Sequence, residues 1–110
     1  MRTVMVRYKL KPDRAAENEL YVENVFRQLE RDKPAGVHYA TFKLDDGVSF
    51  VHIASLEAAE GTNPLTELSA FKAFTAGIKE RCEEPPVSTR LNQVGSYDLF
   101  ERREPSVTAR

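Results

Sequence analysis

The stretch "FKLDDGVSFVHIAS", residues 42–55, sets Asp46-Gly47 between two runs of β-branched and aromatic residues. An Asp-Gly pair so flanked is a strong local signal for an antiparallel hairpin. A two-residue turn there puts Asp45 opposite Val48, so Phe42 faces Val51 and Ala40 faces Ile53. Side chains alternate along a strand, so one face carries His38, Ala40, Phe42, Leu44, Val51 and Ile53. The other carries Val37, Tyr39, Thr41, Lys43, Phe50, His52 and Ala54. The chain's two histidines fall on opposite faces and cannot share one metal ion in this register, although a one-residue slip would exchange them.

Around this hairpin the hydrophobic period changes along the chain. Residues 3–10, "TVMVRYKL", read as a strand that "KPD" stops. Leu20, Val22, Val25, Phe26 and Leu29 recur near the 3.6-residue period and predict a helix over 14–32, capped by Asp13. "KPAG" breaks it before the strands at 37–44 and 48–55. Residues 56–64 form a loop of small and acidic residues. Helical spacing then returns through Leu68, Phe71, Phe74, Ile78 and Cys82, with Ser69 as a capping residue, Gly77 as a weak point and Pro85-Pro86 as the end. Residues 87–100 predict a last strand, irregular near Gly95. One domain over 1–100 and a flexible polar tail over 101–110 follow.

The order β-α-β-β-α-β is that of an α+β, ferredoxin-like fold, with two helices on one face of a four-stranded antiparallel sheet. The hairpin is apolar on both faces, so the open face needs cover too. The aliphatic face of Ala40, Phe42, Val51 and Ile53 is assigned to the helices. The mixed face, with Tyr39, Thr41 and His52, is then expected to meet a second subunit as a homodimer, a natural way for a 110-residue chain to complete its core.

In "YKLKPDRAAENE", "PAGVHYATFKLDD", "FVHIASLEAAE" and "LTELSAFKAF" the chain resembles the dimeric α/β-barrel superfamily, within it the antibiotic-biosynthesis-monooxygenase-like group, over about residues 3–100. The resemblance implies two sheets packed face to face as a dimeric barrel, with a small pocket in each subunit. Some members are cofactor-free oxygenases of phenolic or quinol compounds, some degrade haem, and many have no established activity. Active members often carry a Trp in or after strand 3 and a His-rich entry to helix 2. This chain has no Trp, and the second stretch reads Glu67, Ser69, Ala70 and Phe71. A haem-degrading reading therefore loses its axial ligand, and no cofactor is expected.

What remains is a cofactor-independent, monooxygenase-like protein acting on a small phenolic or quinol compound in a dimer-enclosed pocket. A phenol must lose a proton before it gives an electron to dioxygen, and His52 is the candidate base by its ordinary pKa. Tyr39 would orient the substrate, and Arg7 would stabilise a developing anion. Thr41, Phe50 and Tyr97 complete the expected substrate contacts. The alternative is a non-catalytic dimeric barrel that binds a small apolar ligand or serves a structural role. In it His52 is a wall residue, Tyr39 is interface packing, His38 caps or lines the helix side and Arg7 pairs with an acid. Cys82 reads as a small core residue, and "LDDG" needs its Asp and Gly for the turn before any calcium.

Charge and hydropathy narrow the partners. Sixteen basic against 17 acidic residues, net −1, with no basic cluster, argue against nucleic acid. No apolar run reaches a signal h-region or a membrane span, and one Cys cannot form an internal disulfide. A cytoplasmic protein is expected.

Overall fold

Four strands pair antiparallel in the order β2-β3-β1-β4: β1 Arg2–Leu10, β2 Val37–Lys43, β3 Ser49–Leu56 and β4 Cys82–Leu91. Helix α1 spans Ala15–Asp32, α2 Ser69–Ala76 and the short α3 Ile78–Arg81. This computed structural model describes residues 2–57 and 63–99. The proposed tail at 101–110 and part of the 56–64 loop lie outside the described residues. The arrangement is the ferredoxin-like α+β fold, with helices on one side of the sheet.

The hairpin register is the expected one: Phe42 pairs with Val51 and Ala40 with Ile53. The turn itself is longer. Leu44 N–H bonds Ser49 C=O at 2.9 Å, closing a four-residue loop that preserves the register of a two-residue turn. The Asp46 carboxylate takes the backbone N–H groups of Val48 and Ser49 and the Ser49 hydroxyl, and Gly47 sits at φ +77°.

The face assigned to the helices is the reverse of the expectation, and β1 shows why. Its residues Val4, Val6 and Tyr8 lie opposite Ala54, His52 and Phe50, on the side where α1 and α2 pack. Its other face carries Thr3, Met5, Arg7 and Lys9, opposite Ser55, Ile53, Val51 and Ser49. Two cations cannot sit beneath the helices without partners, whereas Tyr8, Leu10, Phe50 and Leu56 supply a deep apolar layer there. The core therefore forms on the mixed face, and the face with Phe42, Ile53 and Val87 is open, Phe42 43 % and Val87 62 % exposed.

Helix α1 begins after a 3₁₀ turn at Pro12–Arg14, and Asp13 makes no side-chain cap. Its buried stripe is Asn18, Val22 and Val25, while Leu20, expected inside, is 60 % exposed. Ser69 does not cap α2. Gln28 of α1 does so instead, accepting the Ala70 N–H at 2.8 Å.

The second helical segment breaks at Gly77 and ends at Arg81. Cys82 opens β4, and Pro85-Pro86 lie within that strand. They are tolerated because the pairing of β4 with β1 shifts between Arg7/Val87 and Lys9/Glu84, so the prolines occupy an irregularity of an edge strand. The expected last strand thus starts earlier, and residues 92–96 carry no strand. Cys82 is buried, and burial pushes its thiol pKa up. No helix among the described residues is long and apolar enough to cross a membrane.

Candidate functional site

Tyr8, His52 and Tyr39 project from three adjacent strands toward the helices, and their polar tips meet. Tyr8 is opposite Phe50 and His52 opposite Val6, so Tyr8 and His52 are diagonal neighbours on one face. The Tyr8 hydroxyl lies 2.7 Å from His52 Nε2. On the far side of the ring, Nδ1 lies 2.6 Å from the Tyr39 hydroxyl and 3.0 Å from Thr41 Oγ1. Asn18 of α1 donates its amide N–H to the Tyr8 oxygen at 2.9 Å. Arg81 of α3 donates Nε–H to Asn18 Oδ1 at 3.2 Å and Nη2–H to the Phe74 carbonyl at 2.6 Å.

The direction of these bonds follows from the groups. Tyr8 accepts from Asn18, and among the described residues His52 Nε2 is the one acceptor bonded to its hydroxyl, so the arrangement that leaves no buried donor unpaired has Tyr8 donating to Nε2. The neutral ring then carries its proton on Nδ1, facing Tyr39 and Thr41.

Burial sets the protonation states. His52 is 4 % exposed, and desolvation lowers its pKa from 6.5 to about 4, so it is neutral at neutral pH. Desolvation pushes Tyr39 up to about 12 and raises Tyr8 further, while the Asn18 bond and the Arg81 charge oppose the rise at Tyr8.

A cavity of about 250 Å³ opens beside this row, between the sheet and α2 of the one chain and not on the sheet face expected to meet a second subunit, because His52 and Tyr39 lie beneath the helices. Tyr8, Tyr39 and His52 line it on one side, and Val4, Val6, Leu65, Phe71, Phe74 and Ile78 are among its apolar walls. The rings form a continuous cluster: Phe74 lies tilted against His52 at 5.3 Å, and Phe71 meets Phe74 edge-on at 5.8 Å. An apolar cavity of roughly 150 Å³ takes a benzene, so this one suits one or two rings with a polar group toward Tyr8.

The expected site residues separate into two groups. His52, Tyr39 and Thr41 are brought together. Phe50 stacks on Tyr8 at 5.8 Å and stands behind the cavity wall. Arg7 is exposed on the opposite face of the sheet, one residue out of phase with Val6 and Tyr8, and cannot reach His52. Tyr97 is 94 % exposed, beyond the end of β4. His38 lies on the open face, 2.7 Å from Glu57, not on the helix side.

Tyr8, Asn18 and Arg81 went unnoticed in the sequence, and each left a signal there. Tyr8 continues the Val4, Val6 alternation. Asn18 sits four residues before Val22 on the buried stripe of α1. Arg81 falls three residues after Ile78, on the stripe of α2 and α3, where a charge is costly unless it is bound.

No family model matches the sequence, and no curated protein is significantly similar to it. Solved structures are similar in fold. A candidate antibiotic biosynthesis monooxygenase from Nitrosomonas europaea superposes with a TM-score of 0.72 at 14 % identity, covering 86 % of this chain and 100 % of that one. Another from Bordetella bronchiseptica gives 0.61 at 17 % identity, covering 84 % and 96 %. A Bacteroides thetaiotaomicron protein of unknown function, noted as a possible oxidoreductase, gives 0.63 at 14 %, covering 82 % and 96 %. The chain therefore has the fold of antibiotic-biosynthesis-monooxygenase-like proteins, and the chemistry must be argued from its own residues.

Proposed function

We propose that this chain is a monooxygenase-like protein that binds a small one- or two-ring phenol or quinol beneath the sheet and oxidises it with dioxygen, without a cofactor. The observation that carries this reading is the Tyr8–His52 pair, 2.7 Å apart on the wall of an otherwise apolar cavity. A substrate hydroxyl donates to the remaining lone pair of Tyr8. As its proton moves to Tyr8, the Tyr8 proton passes to His52 Nε2, leaving a phenolate and an imidazolium. Tyr39 and Thr41 accept from Nδ1–H and hold the ring.

Where the para carbon bears hydrogen, the phenolate gives one electron to dioxygen, and the radical pair joins at that carbon. Loss of water from the peroxide turns that C–H into a carbonyl and the phenol oxygen into a second one. The substrate supplies all four electrons, and the second oxygen atom leaves as water.

Magnitudes decide which substrates qualify. Moving a proton from a phenol of pKa about 10 to a base near 4 is uphill by roughly 8 kcal/mol. One turnover per second corresponds to a barrier of about 17 kcal/mol, so the step is affordable but favours acidic, electron-rich phenols.

The same reading seats a second copy on the open sheet face, where Met5, Ala40, Val51, Ile53 and Val87 form an apolar surface. A non-catalytic binding role is the second reading, favoured by the low basicity of His52. Oxygen uptake with 1-naphthol, whose para carbon bears hydrogen, separates the two. Catalysis predicts one O₂ consumed per quinone formed, without hydrogen peroxide, and loss of uptake in Tyr8→Phe. Saturable binding with no uptake above the no-protein control would leave only the binding role.

A further inference from the structure

We infer that Arg81 and Asn18 are positioning residues that set the tautomer of His52, and with it the direction in which a proton can leave the cavity. This role in proton transfer rests on the functional reading above, whereas the tautomer itself does not.

The argument runs from the one group in the chain of contacts that has no choice. A guanidinium only donates. Arg81 Nε–H therefore requires the oxygen of the Asn18 amide to face it, at 3.2 Å. The amide nitrogen is then turned to Tyr8, 2.9 Å away, and must donate. Tyr8 can accept this bond and still send its own proton to His52 Nε2. The neutral imidazole is left with Nδ1–H, toward Tyr39 and Thr41. Four side chains from β1, α1, β3 and α3 thus share one direction, and it originates at Arg81.

Arg81 is itself well suited to hold that end. It is 2 % exposed, and its guanidinium lies over the Tyr21 ring, 4.4 Å from the centroid, with the Phe74 ring at 5.8 Å. Its second anchor, the Phe74 carbonyl at 2.6 Å, is one of the last carbonyls of α2 and has no partner within the helix. Asn18 is fully buried. A buried amide held at both ends cannot turn over without losing two bonds, so the direction is stable. The space beside Gly77 belongs to the same arrangement: a Cβ there would meet Arg81 Nη1 at 3.3 Å.

The consequence for chemistry is specific. A lone pair on Nε2 lies behind Tyr8, where a cavity hydroxyl can reach it through one intervening oxygen. With the opposite tautomer, Nε2–H would donate to Tyr8 and no acceptor would stand behind it.

Asn18→Asp reverses the direction while preserving every partner. The carboxylate accepts from Arg81 and from Tyr8 O–H. Tyr8 then accepts from Nε2–H, and Nδ1 accepts from Tyr39. The charge of Arg81 is also neutralised, which favours folding. The test is a long-range ¹H–¹⁵N correlation of the His52 ring in the intact, ¹⁵N-labelled protein at neutral pH. In the unaltered protein Nδ1 should be the protonated nitrogen and Nε2 the bare one, and Asn18→Asp should exchange them. Oxygen uptake with 1-naphthol should fall roughly 100-fold or more in Asn18→Asp.

A protonated Nε2 in the unaltered protein overturns the inference without any variant. So does a folded Asn18→Asp protein that keeps Nδ1–H. The expected tautomers together with no uptake of oxygen by any phenol would uphold the positioning role and remove the oxygenase reading, so the two failures are distinguishable.

Discussion

The hydroxyl of Tyr8 and Nε2 of His52 are 2.7 Å apart although the residues lie 44 positions apart in the chain. Strand pairing puts them on one face as diagonal neighbours, and burial of both makes the bond costly to leave unmade. Tyr8→Phe keeps the ring packed on Phe50 but leaves Asn18 Nδ2 and His52 Nε2 without their partner. At about 1–3 kcal/mol for each unsatisfied group, the variant should lose about 2 kcal/mol or more in urea unfolding. A loss under about 0.5 kcal/mol would show that water replaces the hydroxyl and that the bond carries little.

Acid should unfold the protein through His52 before the carboxylates contribute. Its pKa falls from 6.5 to about 4 on folding, so between those values the unfolded chain binds a proton that the folded chain does not. Stability is full above about pH 6.5 and declines as pH falls to about 4, by on the order of 3 kcal/mol. The neighbours facing the ring, Tyr8 and Tyr39, are neutral throughout this window. Glu17, Asp32 and Asp46, held low by Arg14, Arg31 and Ser49 respectively, lose their contribution only as pH falls below the ordinary carboxylate range. Unfolding free energies between pH 7 and 5 should therefore slope down in the parent protein and flatten in His52→Gln. Equal slopes in both would contradict the account.

Arg7→Ala and Tyr97→Ala should leave naphthol binding within two-fold, since one residue lies across the sheet and the other beyond β4. A ten-fold loss, equal to about 1.4 kcal/mol, would return these residues to the site.

The open sheet face predicts self-association. The melting temperature should rise with protein concentration, and Ile53→Lys, which places a charge in the middle of that face, should abolish the dependence and give a monomer by sedimentation. A concentration-independent melting temperature in the parent protein would remove the second copy.

Much of this architecture was legible, and the part that was not has a local cause. The Asp46-Gly47 signal set the hairpin register correctly even though the loop holds four residues, because lengthening it evenly keeps the same cross-strand partners. The choice of face failed because the hairpin alone is apolar on both sides. The alternation Val4, Val6, Tyr8, Leu10 against Thr3, Met5, Arg7, Lys9 in β1 breaks the tie, and it places His52 under the helices. Pro85-Pro86 read as a helix stop because proline breaks a helix, with the last strand after them, yet an edge strand with a shifted register accepts them. His52, Tyr39 and Thr41 could be grouped from strand parity. Asn18 and Arg81 could not be joined to them, since their meeting depends on how α1 and α3 pack, which no spacing within either helix encodes.

The central claim is that the cavity beneath the sheet receives a phenol with its hydroxyl at Tyr8. The most direct measurement is a methyl and imidazole NMR titration of the intact protein with 1-naphthol. The account predicts saturable shifts at His52 Nε2 and at the methyl groups of Val6, Leu65 and Ile78, with Val51 and Ile53 unmoved. Shifts confined to Val51 and Ile53, or none at His52 up to the solubility limit of the ligand, would contradict it.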